Sequence, residues 1–313
     1  MTVDLKRFLS RVEPQKLVAP LSLVVLCIII SFTTPYFLTA RNFANLGKQT
    51  SVYLLIALGQ TVVILSAGID LSVGSILALS ACTAGILFQE GITSIWMGAA
   101  IGIMLGIAVG LFNGIVVSYG RVPPFIATLG SMGIVRGIVL LITKGYPTGL
   151  GFPERFRYIG EGQMPITIAG ALAVVTWIIL SQTSFGRRVY AIGDNKEAAR
   201  LSGVRVKLTT VIVFMFSGLM CSIAGVVMAA RLNSAPPAAG IGYELNAIAA
   251  VVIGGTDLFG GQGGVVGTVL GAFLMSIIAN ALNLLNVNPF WQQVVIGAFV
   301  IAAVMSNTLR FKR

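Results

Sequence analysis

Gly98-Ala99-Ala100-Ile101-Gly102-Ile103-Met104-Leu105-Gly106-Ile107-Ala108-Val109-Gly110-Leu111-Phe112-Asn113-Gly114 contains no charged residue and a single amide side chain. It lies in an apolar run from about 95 to 118, which at about 1.5 Å per residue is long enough to cross about 30 Å of hydrocarbon. Glycine returns at every fourth position, as Gly98, Gly102, Gly106, Gly110 and Gly114. Four residues advance about 400° around a helix, so the stripe drifts slowly and admits a neighbouring helix at close range. The sequence leaves open whether that neighbour is another segment of the chain or a second subunit.

The same ruler places further spans near 17–33, 52–68, 72–89, 125–143, 166–182, 208–230, 245–255, 265–286 and 291–306, ten in all with 95–118. Composition agrees: of 313 residues 56% are apolar and only 10% charged, with a mean hydropathy of +0.94. Soluble proteins carry about 25% charged residues. The fold class expected is therefore all-α and polytopic, with lipid as the main solvent. The spans near 72 and 245 adjoin glycine-rich breaks and read as broken or half helices.

The net charge of +11 does not indicate nucleic acid, because the basic residues are dispersed among spans without interleaved aromatics. Their distribution reads as an orientation signal. With ten spans and both termini in the cytoplasm, 14 basic residues fall inside and six outside, while Arg136 lies within a span. The first span follows Lys6, Arg7, Arg11 and Lys16 without a small-residue cleavage site, and reads as uncleaved. Histidine is absent, and Cys27, Cys82 and Cys221 all sit in apolar runs. No metal site, disulfide or catalytic cluster is expected.

Two segments echo each other: Gly68-Ile69-Asp70-Leu71-Ser72-Val73-Gly74 and Gly255-Thr256-Asp257-Leu258-Phe259-Gly260-Gly261. Their matching surroundings suggest a parallel repeat of the first four and last four spans. An aspartate in hydrocarbon costs about 2.5–3.5 kcal/mol on insertion scales, so each calls for a reason. Asp70 and Asp257 either cap restarting helices or line a translocation path. Arg136, Asn113, Gln60 and the series Asn280, Asn283 and Asn286 are further path candidates; three-residue spacing allows the last three to share a helical face. Tyr243, Phe290 and Trp291 read as an interfacial aromatic belt.

The 183–207 segment is the one substantial inner loop. Within Phe185 to Gly203, Asp194 or Asn195 can cap a short helix over Lys196 to Ser202, and Gly203 can end it. Glu197-Ala198-Ala199, with Gly203 four residues on, resembles the Glu-Ala-Ala…Gly motif of ABC importer permeases. Ile64 to Ser75, Pro124 to Leu129, Gly242 to Val251 and Asn283-Leu284-Leu285 resemble the ribose-type sugar permeases in particular. These matches extend from about 20 to 306.

The resemblance implies a single transmembrane permease domain over 1–313, with a cytoplasmic segment 1–16, a coupling loop 183–207 and a cytoplasmic tail 307–313. It implies that Asp194, Asn195, Glu197, Ala198, Ala199, Arg200 and Gly203 form the coupling element seated on an ATPase. The implied partners are a cytoplasmic ATPase with two nucleotide-binding domains, a periplasmic sugar-binding protein and a second copy of the chain in the bacterial inner membrane. Binding-protein docking is assigned to the outer loops 34–51, 144–165 and 231–244. ATP and Mg would reside on the ATPase, and none in this chain: Gly47-Lys48 lacks both the earlier glycine and the following hydroxyl of a phosphate loop. An ion-gradient-driven secondary transporter, with Asp70, Asp257 or Arg136 as coupling residues, is the alternative from another class. The sequence does not select among ribose, other pentoses, hexoses and polyols.

Overall fold

The computed structural model describes residues 14–311. Lys6, Arg7 and Arg11 and the last two residues of the tail lie outside this range. Thirteen α-helices follow in chain order among the described residues: α1 Pro14–Thr33, α2 Ala40–Leu65, α3 Val73–Gln89, α4 Ile95–Ser118, α5 Pro124–Thr143, α6 Glu154–Arg157, α7 Met164–Gln182, α8 Ser184–Asp194, α9 Lys196–Leu201, α10 Val206–Leu232, α11 Tyr243–Ile253, α12 Val265–Leu284 and α13 Pro289–Phe311. An isolated bridge, with Thr148 N donating to Ala235 O at 3.1 Å and Ala235 N to Thr148 O at 2.8 Å, ties two connecting loops. This is the all-helical architecture that a bilayer requires of such a chain.

Length and composition qualify six of these helices as membrane spans: α2, α4, α5, α7, α10 and α12. The other four expected spans coincide with shorter apolar stretches, Leu23–Thr33, Val73–Gln89, Tyr243–Ile253 and Phe290–Ala302. One boundary differs substantially from expectation. α2 begins at Ala40, so Arg41 and Lys48 lie on helix and not in a loop over 34–51. Thr39 explains the early start: its backbone is extended and its side chain accepts from Asn42 N.

Burial separates the centre from the periphery. The apolar window of α2 is 89% buried and that of α10 67%, whereas those of α5 and α7 are each 28% buried. α10 packs on α2, α3 and α4, while α11 packs on α2, α12 and α13. The outward faces carry Phe112, Ile134, Leu141 and Trp177, apolar side chains suited to lipid.

The glycine stripe of α4 meets neighbours in the same chain. A methyl group at Gly98 would lie 3.1 Å from Ala84 O, and at Gly102 2.5 Å from Ser80 O, both on α3. Further along, it would lie 2.9 Å from Met215 Cα at Gly110 and 2.6 Å from Val211 Cα at Gly114, both on α10. At Gly106 it would approach both Ile76 of α3 and Ser222 of α10. The drifting stripe thus passes from one helix to the next, and α3, α4 and α10 form a block in near backbone contact.

Candidate functional site

The segment between α7 and α10 contains two helices, where the sequence suggested one. Thr183 starts α8, its hydroxyl accepting from Gly186 N at 3.3 Å. Asp194 is the last residue of α8 and does not cap α9. That role belongs to Asn195, whose Oδ1 accepts from Glu197 N at 3.0 Å and Ala198 N at 2.9 Å. Gly203, at φ +84°, ends α9 in the left-handed region, with Val204 N returning to Ala199 O at 3.0 Å. Glu197 and Arg200 pair on the exposed face; donation by the guanidinium lowers the carboxyl pKa below its usual value. Beside Gly203 opens a depression of about 480 Å³ lined by Arg188, Ser202, Val204, Arg205 and Leu208.

The other side of this segment rests on the two glycine-rich breaks. Tyr190 donates to Gly263 O at 3.0 Å. Gly261 N donates to Leu65 O at 3.1 Å, joining the second break to the end of α2. A methyl group at Gly260 would lie 2.8 Å from Ala67 N and 2.9 Å from Gly193 Cα. At Gly261 it would lie 3.0 Å from Asp194 Cα. Backbone from α8, from the 66–72 break and from the 254–264 break therefore meets at one three-way junction.

Within the breaks, Asp70 and Asp257 close the same local turn. Ser72 N donates to Asp70 Oδ1 at 2.9 Å, and Phe259 N to Asp257 Oδ1 at 3.0 Å. Asp70 is wholly enclosed and also accepts from the hydroxyls of Ser72 and Ser217 at 2.5 and 2.8 Å. Asn113 on α4 donates to Ser72 Oγ at 2.9 Å, and Thr128 on α5 to Ile69 O at 3.1 Å. Side chains of three other helices thus hold the first break. Each buried polar group would otherwise cost about 1–3 kcal/mol left unpaired.

Against this geometry, the comparisons with known proteins are specific. A family model described as branched-chain amino acid transport system / permease component matches residues 42–304. The ribose import permease of Bacillus subtilis is 45% identical over 297 residues, covering 93% of this chain and 92% of its own. That of Escherichia coli K12 is 41% identical over 312 residues, 97% of each chain.

The chain belongs to the family of ribose-type ABC importer permeases.

The D-allose transport permease of Escherichia coli K12 is 39% identical over 290 residues, covering 91% of this permease and 89% of its own chain. No solved structure matches. The permease is a multi-pass inner-membrane protein and a subunit of an ABC importer, a role that in general implies ATPase and binding-protein partners.

The remaining candidates lie apart from the junction. Arg136 on α5 donates to the carbonyls of Pro237 and Ala239, the latter at 3.0 Å, and so anchors the loop before α11. Asn280 exchanges two amide hydrogen bonds, at 2.8 and 3.1 Å, with Asn42 of α2. Asn283 accepts from Gln292 at 2.9 Å. Asn286 does not share a helical face with them: α12 ends at Leu284, and Asn286 takes the left-handed conformation at φ +52°. Asparagine tolerates that region better than most residues, which is why the helix stops there. The ring of Tyr243, expected in the aromatic belt, lies against that of Tyr53.

Sequence reasoning missed Asn42, Ser72, Ser217, Tyr190 and Gly193. A serine or glycine in an apolar run announces nothing until its neighbour is known. For Tyr190 a signal existed: it lies four residues before Asp194, on the side of α8 shared with buried Gly186 and Val189.

Proposed function

We propose that this permease translocates a simple sugar, ribose or a related monosaccharide, delivered by a periplasmic binding protein and driven by a separate ATPase. The observation that carries this reading is the two-sided segment α8–α9. Its outer side offers a capped helix, an exposed Glu197–Arg200 pair and the Gly203 depression. Its inner side is hydrogen-bonded to the second break through Tyr190 and lies in close contact with the end of α2 at Gly193. A rigid ATPase surface engaging Asp194, Asn195, Glu197, Ala198, Ala199, Arg200 and Gly203 would thus push on the ends of α2 and α11 without acting through α7 and α10 alone.

Relatives named for ribose, D-allose and L-arabinose support a monosaccharide. In this reading ten segments cross the membrane and both termini are cytoplasmic. A second copy completes the pore, and ATP and Mg stay on the ATPase. The loops flanking the Thr148–Ala235 bridge face the binding protein. Asp70 and Arg136 hold the fold around the path, and the carboxylate of Asp257 shapes the second break.

The test is affinity purification of the tagged permease from its native membrane, followed by uptake assays in proteoliposomes. A stoichiometric ATPase and ATP-dependent accumulation of D-ribose, L-arabinose or D-allose are expected. A homomer without ATPase, or accumulation of leucine instead of a sugar, would overturn the proposal.

A further inference from the structure

A groove of about 300 Å³ opens on the surface between α7 and α12. Ala173, Val174 and Trp177 form one wall, and Val265, Val266 and Val269 the other; none of its lining side chains carries a charge or a hydroxyl. Val174, Trp177 and Val266 are 55, 46 and 68% exposed, so the groove faces outward, where a membrane places hydrocarbon. Trp177 lies near the end of α7, and its amphipathic ring suits the boundary with the headgroups.

The first turns of α8 cross the end of this groove. A methyl group at Gly186 would collide with Leu180 O of α7, which follows Trp177 by three residues. Tyr190 donates to Gly263 O, two residues before the groove begins at Val265, and its hydroxyl lies 3.7 Å from a methyl group built on Gly264. Gly186 and Tyr190 therefore rest on the two walls, with Arg187 between them in sequence. At about 100° per residue, Val189 and Arg187 fall on opposite flanks of the Gly186–Tyr190 face. Val189 is wholly enclosed and Arg187 is exposed, so Arg187 occupies the outward flank, the side on which the groove opens. Arg188 points elsewhere and lines the Gly203 depression.

Charge at this corner is unbalanced. Among the described residues Arg187 makes no ion pair, unlike Arg200 with Glu197. Asp194, on the same helix, is about 10 Å further along. α12 starts beside Tyr190 without a side-chain cap, and the N–H groups of a helix's first turn add to the attraction for a negative group.

We infer that this corner binds one anionic phospholipid of the leaflet that α8 borders, with an acyl chain in the groove and the phosphate at Arg187. The lipid braces α8 against α12 beside the Tyr190–Gly263 bond, so the bilayer itself helps to hold the junction. The inference goes beyond the sugar-importer reading and does not depend on it. One cation at a membrane surface favours an anionic lipid about fivefold.

The test places the full chain, with Trp96→Phe and Trp291→Phe, in phosphatidylcholine vesicles, so that Trp177 is its one tryptophan. A small fraction of the lipid carries brominated chains, which quench a tryptophan they touch, on either phosphatidylglycerol or phosphatidylcholine. The brominated phosphatidylglycerol should quench Trp177 with at least threefold higher apparent affinity. Arg187→Gln should remove that preference, while Arg121→Gln, the same charge change elsewhere on the exposed surface, should keep it. Equal quenching by both lipids would make this an ordinary part of the lipid shell. Quenching by neither would mean that protein, such as a second copy, covers the groove. A preference that survives Arg187→Gln, or that Arg121→Gln abolishes as well, would remove Arg187 from the site. Each of these results would overturn the inference. A second measurement needs no tryptophan variant: phosphatidylglycerol added to the wild-type chain in detergent should raise its unfolding temperature, and phosphatidylcholine or inorganic phosphate should not. An equal rise with inorganic phosphate would show a site for the free anion and would equally overturn the inference.

Discussion

Replacing Gly260 by alanine tests whether the junction transmits force. Gly260 has φ +98°, where a side chain is strained by about 1–2 kcal/mol. Its new methyl group would lie 2.8 Å from Ala67 N, 2.9 Å from Gly193 Cα and 3.0 Å from Ala67 Cβ. All three are well inside an ordinary contact of about 3.5–4.0 Å, and two of the atoms belong to backbone that cannot rotate away. Such overpacking costs about 1–3 kcal/mol. The sum, about 2–5 kcal/mol, is concentrated where α8 meets the two breaks, and the simplest relief is separation of α8 from them. The matched control is Gly264→Ala in the same segment, where the backbone is extended and the nearest atom, Tyr190 Oη, is 3.7 Å from the new methyl. Sugar accumulated per ATP hydrolysed in proteoliposomes is the readout. Gly260→Ala should retain the ATPase and hydrolysis but lose at least tenfold in sugar per ATP, while Gly264→Ala stays within twofold of wild type. Equal ratios for both variants would show that force does not pass through this contact.

Glu197→Lys and Gly203→Arg should leave the chain inserted but abolish co-purification of the ATPase, since an ion pair this exposed contributes little to folding; normal association and transport in both would remove α9 from the docking surface. Asn280→Leu should lower stability by about 1–3 kcal/mol, by stranding Asn42, and Asn42→Leu/Asn280→Leu should recover part of that loss in thermal unfolding in detergent. Gly110→Ala should lower the unfolding temperature, with its methyl group 2.9 Å from Met215 Cα, whereas Gly130→Ala, which faces open space, should not. Ser217→Ala should destabilise by about 1–3 kcal/mol through the loss of one hydrogen bond to enclosed Asp70, and an unchanged unfolding temperature would show that the first break is held by its own turn alone.

Much of this could be read from the chain itself because membranes impose simple rules. The span from Ile95 to Ser118 was set by apolar length, and the capped helix at Asn195 by local side-chain chemistry. α8 escaped notice because its many polar residues suggested a surface loop, although Thr183 carries the cap. The candidate path fared differently. Residue type singled out Asp70, Arg136 and Asn280, but conspicuous polar residues in lipid are those a fold most needs to satisfy internally. Residue type placed Gln60 in the same group, but its distinction is a lack of partners, and sequence does not record partners. Asn286 failed for a local reason, its left-handed backbone ending the helix that its spacing invited.

The 254–264 break reverses the usual relation between irregular backbone and tolerance of change. α11 has 11 residues and so covers about 16 Å, roughly half of a bilayer core. The irregular chain that follows it is held from inside by Asp257 N on Gln262 O and by Gly261 N on Leu65 O. Surface loops ordinarily absorb insertions and deletions, but this one should reject a single added residue as strictly as a helix core does. In a library of one-residue insertions, the connection before α11 should yield more working permeases than the connection after it.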